Sequence, residues 1–245
     1  MNTVLFGNGR WGKILKKNIE SRYNLKKIFD SKSNIDDFNY SIIDWAIVAS
    51  SNISHYEIVK FLLNKNINVF CEKPMTMSFK ETKELIGLSE VKKLKIFVNH
   101  IYKFKKKDIK LKKINNIKRS KKSNNKTFQD IIFDLFYHDL YLILPFLDLN
   151  DLIFSGFIFK NKSLFFQIKS NYKTYKFEYD MNSEKFHKIN NVNFIDEIDY
   201  IPEILEKAFN FRLNYNENNL EALNCSFIID KILSLNTNKL CSTPV

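Results

Sequence analysis

At 245 residues and 29.2 kDa the chain is long enough to bury a sizeable core, as one large or two modest domains. Its 44% hydrophobic and 27% charged residues are ordinary for a soluble globular protein. The net charge of +12 is local, because positions 103–126 hold twelve Lys/Arg against one Asp and the remainder sums to +1.

That localisation makes nucleic acid a weak candidate partner for the chain as a whole. A bias toward Lys, Asn, Ile, Phe and Tyr, which AT-rich coding produces, accounts for part of the lysine excess. No apolar run nears the roughly 20 residues that span a bilayer, so no membrane partner is expected. The first residues enter a strand with no leader-like segment, which predicts a cytoplasmic protein. The three cysteines, Cys71, Cys225 and Cys241, are odd in number and widely spaced. They predict reduced thiols, with neither a disulfide framework nor metal-ligand spacing.

In chain order, the first element is a strand over 3–6 that runs straight into Gly7-Asn8-Gly9-Arg10-Trp11-Gly12 and a helix over 13–19. A strand, G-x-G-x-x-G and a helix open a dinucleotide-binding βαβ unit. Gly7 permits the tight turn, Gly9 keeps the backbone open to a pyrophosphate, and Gly12 lets helix and strand approach. The helix N-terminus supplies N–H donors. Gly7, Gly9, Arg10, Trp11 and Gly12 are therefore the first cofactor candidates. A second strand over 25–29 ends at Asp30, 18 residues past Gly12, where a carboxylate accepts bonds from ribose hydroxyls. That position favours NAD, while Lys32 leaves NADP open. The bland alternative for Asp30 is a solvated turn residue.

Further strands are expected at 45–49, 68–71 and 95–98, with helices opened by Ser54-x-x-Glu57 and Ser78-x-x-Glu81, each in the form of a capping box. Strands alternating with helices predict a Rossmann-type, doubly wound parallel sheet over 1–101. The basic segment follows, with Ile109, Leu111, Ile114 and Ile117 interspersed. Then come a long helix from an N-cap at Thr127 through Leu147, β texture over 152–186, and two helices near 203–211 and 217–235. Positions 102–245 thus read as an α+β domain with an open, mostly antiparallel sheet. The overall class is α/β with a reduced second domain.

Glu72-Lys73-Pro74 lies just past the carboxyl end of a strand, the edge where ligands bind in such sheets, and Pro74 stiffens the turn. Farther on, Asp134 and His138 fall at i and i+4 on one helix face. A lysine, a carboxylate and an imidazole together suit proton transfer during alcohol oxidation or ketone reduction. Each has a plainer alternative: Lys73 a surface lysine, Asp134 and His138 a helix-stabilising pair, His55 a helix-start residue. His100 lies two residues past a strand end and is a weaker candidate. His187 is read as chemically idle and Asp139 as neutralising local charge.

GNGRWG, Ala49-Ser50-Ser51-Asn52 with His55, the Glu-Lys-Pro turn and the FDLFYHDLYLI helix together resemble the glucose–fructose oxidoreductase, inositol dehydrogenase and MocA family. The likeness is strongest to its branch acting on nucleotide-linked sugars. It covers about the first 150 residues and, more loosely, the final helices. It implies an NAD(P)-dependent oxidoreductase acting on a sugar or sugar-nucleotide hydroxyl. Lys73 would be the active-site lysine, His138 the acid/base and Asp134 its neighbour. Ser50, Asn52 and His55 would line the dinucleotide, with Glu72 nearby. Family members carry an arginine-bearing strand after the last Rossmann strand, so Arg119, helped by Lys121, is expected to bind an anionic substrate group through its planar fork.

Two departures from the family shape the expectations. The β region of about 35 residues looks short for the family's sheet, and Phe136-Tyr137 stand where smaller residues are common. They motivate an alternative in which the protein binds a dinucleotide without turnover and acts as a binding or assembly partner. The homo-oligomer usual in the family stays open.

Overall fold

A computed structural model describes residues 1–102, 104, 114–122, 127–194 and 199–240. In chain order it contains β1 (Asn2–Phe6), α1 (Arg10–Glu20), β2 (Asn24–Phe29), β3 (Trp45–Val48), α2 (His55–Asn64), β4 (Asn68–Cys71), α3 (Phe79–Val91) and β5 (Ile96–Val98). These are followed by β6 (Asn116–Ser120), α4 (Phe128–Ile131), a π turn over Ile132–Phe136, α5 (Tyr137–Ile143) and β7 (Ile153–Lys160). The last elements are β8 (Ser163–Ser170), β9 (Lys173–Asp180), β10 (Phe186–Ile189), β11 (Val192–Asn193), α6 (Ile201–Phe209) and α7 (Tyr215–Leu240). Much of the basic segment, including Ile109 and Leu111, lies outside the described residues, as does Cys241.

The chain divides into two compact units. The first comprises Met1–Ile101 with Asp199–Phe227, the second Tyr102–Ile198 with Ile228–Val245. The second unit therefore does not take the whole of 102–245. Apolar faces bring α6 and the start of α7 back to the first unit. Phe209 stacks on Trp45 with ring centroids 5.0 Å apart, and Asn218 bonds the β5 backbone at Val98.

In the first unit a five-stranded parallel sheet has the order β2-β1-β3-β4-β5. β1, β3, β4 and β5 are buried almost throughout, which is why they read as continuous apolar runs. The order reverses between β1 and β3, and that switch point opens a crevice at the carboxyl ends of the strands. Ser78 caps α3 as expected, accepting from the Glu81 N–H at 3.3 Å. Ser54 does not cap α2. Residues 52–54 form a 3-10 turn, and the Ser54 hydroxyl instead donates to Ser50 Oγ at 2.8 Å.

In the second unit a six-stranded sheet has the order β11-β10-β6-β9-β8-β7, antiparallel except for β6 against β9. It extends well beyond 152–186, because β6 joins from the basic segment and β10 and β11 from 186–193. Three hairpin turns, Asn161-Lys162, Asn171-Tyr172 and Asn190-Asn191, place two consecutive residues at positive φ. Tight two-residue hairpins require that, and asparagine tolerates it. One face of β8 and β9 is buried: Phe166 and Phe177 stack at 5.0 Å, and Phe136 meets both edge-on. Phe136 and Tyr137 are thus core residues at 0% and 1% exposure, not bulk crowding a catalytic face.

The helix expected from Thr127 to Leu147 begins with a full capping box: Thr127 Oγ1 accepts from Asp130 N–H while Asp130 accepts from Thr127 N–H. It is not one regular helix. The π turn follows α4, and a 3-10 turn over Leu144–Phe146 takes up Pro145. The wider turn lets four of its five residues, Ile132, Phe133, Leu135 and Phe136, be buried.

Candidate functional site

At the crevice of the first unit the three glycines separate into different physical roles. Gly7 has φ +109°, and a Cβ there would lie 2.3 Å from the Ala49 carbonyl oxygen, so the loops after β1 and β3 touch only because the side chain is absent. A Cβ on Gly12 would lie 2.1 Å from the Gly7 oxygen, which lets α1 pack on the turn. Gly9 differs: a Cβ would meet nothing within 4 Å. Its bareness serves no contact within the chain and leaves open space at the N-terminus of α1, where N–H donors and the helix dipole favour an anion. Arg10 and Trp11 open α1 and are exposed, Trp11 by 46%.

Asp30 ends β2 in an exposed position. Its Oδ1 accepts from the Lys32 N–H at 3.0 Å and the Ser33 hydroxyl at 2.8 Å. Those two bonds hold the carboxyl below its ordinary pKa, so the group is ionised. An open Gly9 cradle with a fixed carboxylate at the next strand end fits a pyrophosphate and a ribose.

The loop after β3 presents Ser50 and Asn52, both half-buried. His55 is different from the expected dinucleotide contact. It is completely buried, with Nδ1 at 2.8 Å from the Pro74 oxygen and Nε2 at 3.2 Å from the Ser50 oxygen. Burial lowers its pKa, against the two carbonyls, which favour the charged ring. His55 braces the loops after β3 and β4 from behind. Glu72 is also buried, accepting from Asn99 Nδ2 at 2.8 Å, and desolvation raises its pKa. Lys73 follows it, half-buried, and precedes a cis bond to Pro74. His100, expected to touch substrate, is buried and lies 3.5 Å from Asn218 Nδ2.

In the second unit Asp134 lies in the π turn and His138 in α5, both half-buried. The His138 ring packs on Tyr102, centroids 4.8 Å apart. Arg119 corrects its expected role. Its side chain is only 14% exposed and its Nη1 lies 3.5 Å from Asp139 Oδ1, so its charge is already matched by a carboxylate of this chain. Nη1 also donates to the Leu135 oxygen at 3.4 Å. Lys121 is exposed.

The residues around Arg119 carry little signal in the sequence. Asp139 is wholly buried, Tyr179 donates to its Oδ2 at 3.1 Å, and His187 Nε2 lies 3.0 Å from its Oδ1, off the line of a good hydrogen bond. Burial pushes the Tyr102 phenol up to about 12. A signal was present in part: Asp139, next to His138, is an acid at the margin of an otherwise apolar helix, and such an acid needs a partner when buried. Nothing local pointed to His187.

Among the described residues no helix is long and apolar enough to cross a membrane. No curated protein matches the chain. Among solved structures the chain is similar to the UDP-N-acetylglucosamine 3-dehydrogenase GnnA of Acidithiobacillus ferrooxidans, at 15% identity and a TM-score of 0.75, over 93% of this chain and 95% of that one. It is similar to the dehydrogenase MviM of Clostridium difficile at 16% identity and a TM-score of 0.76, over 96% and 99%. An NAD-binding protein of Listeria innocua gives 14% and 0.70, over 97% and 95%. These likenesses show a shared fold. Residues 15–100 match the family model described as an oxidoreductase family with an NAD-binding Rossmann fold. That match lies within the parallel sheet of the first unit, so this stretch of the chain is similar to the NAD-binding part of the glucose–fructose oxidoreductase, inositol dehydrogenase and MocA family.

Proposed function

We propose that the protein is an NAD-dependent oxidoreductase acting on a hydroxyl or ketone of a sugar, with a nucleotide-linked sugar as the favoured class. The observation that carries the reading is the open cradle at Gly9, set at the switch point of a parallel sheet and accompanied by the ionised Asp30. The family match supports the cofactor class, and the dehydrogenase of UDP-N-acetylglucosamine among the similar folds supports the substrate class. The nicotinamide, when bound, supplies or accepts the hydride.

The chain's own residues handle binding and the proton. The α1 N–H groups hold phosphate, and Asp30 accepts from ribose hydroxyls and repels a 2′-phosphate. By resemblance, His138 exchanges the hydroxyl proton beside Asp134, and the Lys73 ammonium steadies the developing oxygen charge.

Titration of the purified protein with NADH and NADPH, followed by nicotinamide fluorescence, tests the cofactor half. Saturable NADH binding is expected, and binding of neither removes the reading. A panel of UDP-linked sugars tests turnover. Loss of product in Lys73→Ala and His138→Ala supports the assigned roles, whereas tight NADH binding with no turnover on any sugar favours a binding protein.

A further inference from the structure

Three neighbouring strands of the second unit bring one row of side chains against Asp139. Arg119 on β6 is the cross-strand partner of His187 on β10 and of Tyr179 on β9. Directly opposed residues on adjacent strands share a sheet face. All three reach the same carboxylate: Tyr179 at Oδ2, Arg119 and His187 at Oδ1. The Tyr102 ring packs beside this row. Its centroid is 5.7 Å from that of His187, 5.6 Å from Arg119 Cζ and 4.8 Å from that of His138. Phe194 meets both rings edge-on, its centroid 5.0 Å from that of His187 and 5.6 Å from that of Tyr102.

We propose that His187, with Arg119 and Tyr179, is a set of positioning residues for His138, acting through Asp139 and the Tyr102 ring. This rests on the reading of His138 as the residue that exchanges the substrate proton.

Successive helix residues project about 100° apart, so fixing Asp139 fixes the azimuth of His138 next to it. The turn before α5 is a π turn, a place where helices bend, so the direction of α5 is set in part by what holds it downstream. A carboxylate held by one hydrogen bond from Tyr179 and faced by Arg119 and His187 on the two neighbouring strands is such a hold. A buried cluster of this kind is often less stable than an apolar packing of equal volume. Tyr179 and Arg119 already supply a donor and a counter-charge to Asp139. The histidine adds, beside Arg119, a second side chain that touches both the carboxylate and the ring lying on His138.

The test uses imidazole NMR on the full chain, which holds only four histidines. The His138 ring signals are assigned by their loss in His138→Gln. In His187→Phe the ring against Tyr102 is kept and the nitrogen facing Asp139 is removed. The His138 signals are expected to shift and broaden, with kcat on the accepted sugar falling about tenfold or more at unchanged KM. Tyr179→Phe, which deletes one oxygen, is the second variant should the first fail to fold, and the same change in smaller degree is expected. Unchanged His138 signals in a folded variant overturn the proposal, whether or not the protein turns over a sugar. Shifted signals in a protein with no turnover leave the positioning intact and count against the enzymatic reading instead.

Discussion

Gly7 and Ala49 are in contact through bare backbone: a Cβ on Gly7 would sit 2.3 Å from the Ala49 oxygen and 2.6 Å from the Ser50 nitrogen. The loops after β1 and β3 therefore meet at the switch point of the sheet, and neither can retreat without moving its strand. Gly7→Ala adds both a collision and an unfavourable positive φ, and is expected to cost about 3 kcal/mol or more. Gly9→Ala meets open space and weakens only the helix cap, by about 1 kcal/mol. If Gly9 is the cofactor cradle, this milder variant is the one that loses NADH affinity while keeping its fold. Thermal unfolding alongside NADH fluorescence separates the two effects.

Asp30 sets an expectation for cofactor choice. Its carboxylate is held ionised by Ser33 and the Lys32 amide, and a 2′-phosphate brought beside it is repelled. NADH is expected to bind more tightly than NADPH. Asp30→Ser is expected to shrink that ratio about tenfold by releasing the repulsion and leaving Lys32 in place. Equal affinities in the unaltered protein would contradict this.

Glu72 makes a pH prediction. Burial raises its folded pKa above the ordinary 4.5, against the Asn99 bond and the charge of Lys73. The folded state therefore binds the proton over a window in which the unfolded state has lost it. Its stabilising contribution is full below 4.5 and is lost as pH rises through the folded value. Glu72→Gln keeps an oxygen for Asn99 and removes the buried charge. Its melting temperature is expected to exceed that of the unaltered protein at pH 8 and to match it near pH 4.

Arg119 and Lys121 are expected to differ in kind. Arg119→Ala leaves Asp139 buried without its counter-charge, and should cost about 3–5 kcal/mol. Lys121→Ala alters an exposed position and should stay within about 0.5 kcal/mol. Denaturant unfolding of both variants checks this. A stable Arg119→Ala protein whose only defect is a raised KM for an anionic sugar would restore an anion-binding role.

Elements whose signals are local were legible from the residues alone. The Gly7–Gly12 turn, the buried strands over 45–48 and 68–71, the caps at Ser78 and Thr127 and the acid at position 30 each depend on residues within a few positions, where sterics and hydrogen bonding act directly. The remainder depended on contacts between distant parts of the chain. Ser54 matched the capping pattern, yet its hydroxyl was taken by Ser50, a partner from the folded loop. His55 carried a motif that resembled a cofactor contact, but burial and two backbone carbonyls made it a brace. Residues 199–227 returned to the first unit because α6 and α7 found their apolar partners on a sheet formed far earlier in the chain. Arg119, Asp139, Tyr179 and His187 met because the strand order β10-β6-β9 is not the order of the chain. No local pattern encodes that order, since it is selected by which faces bury together once the whole sheet has formed.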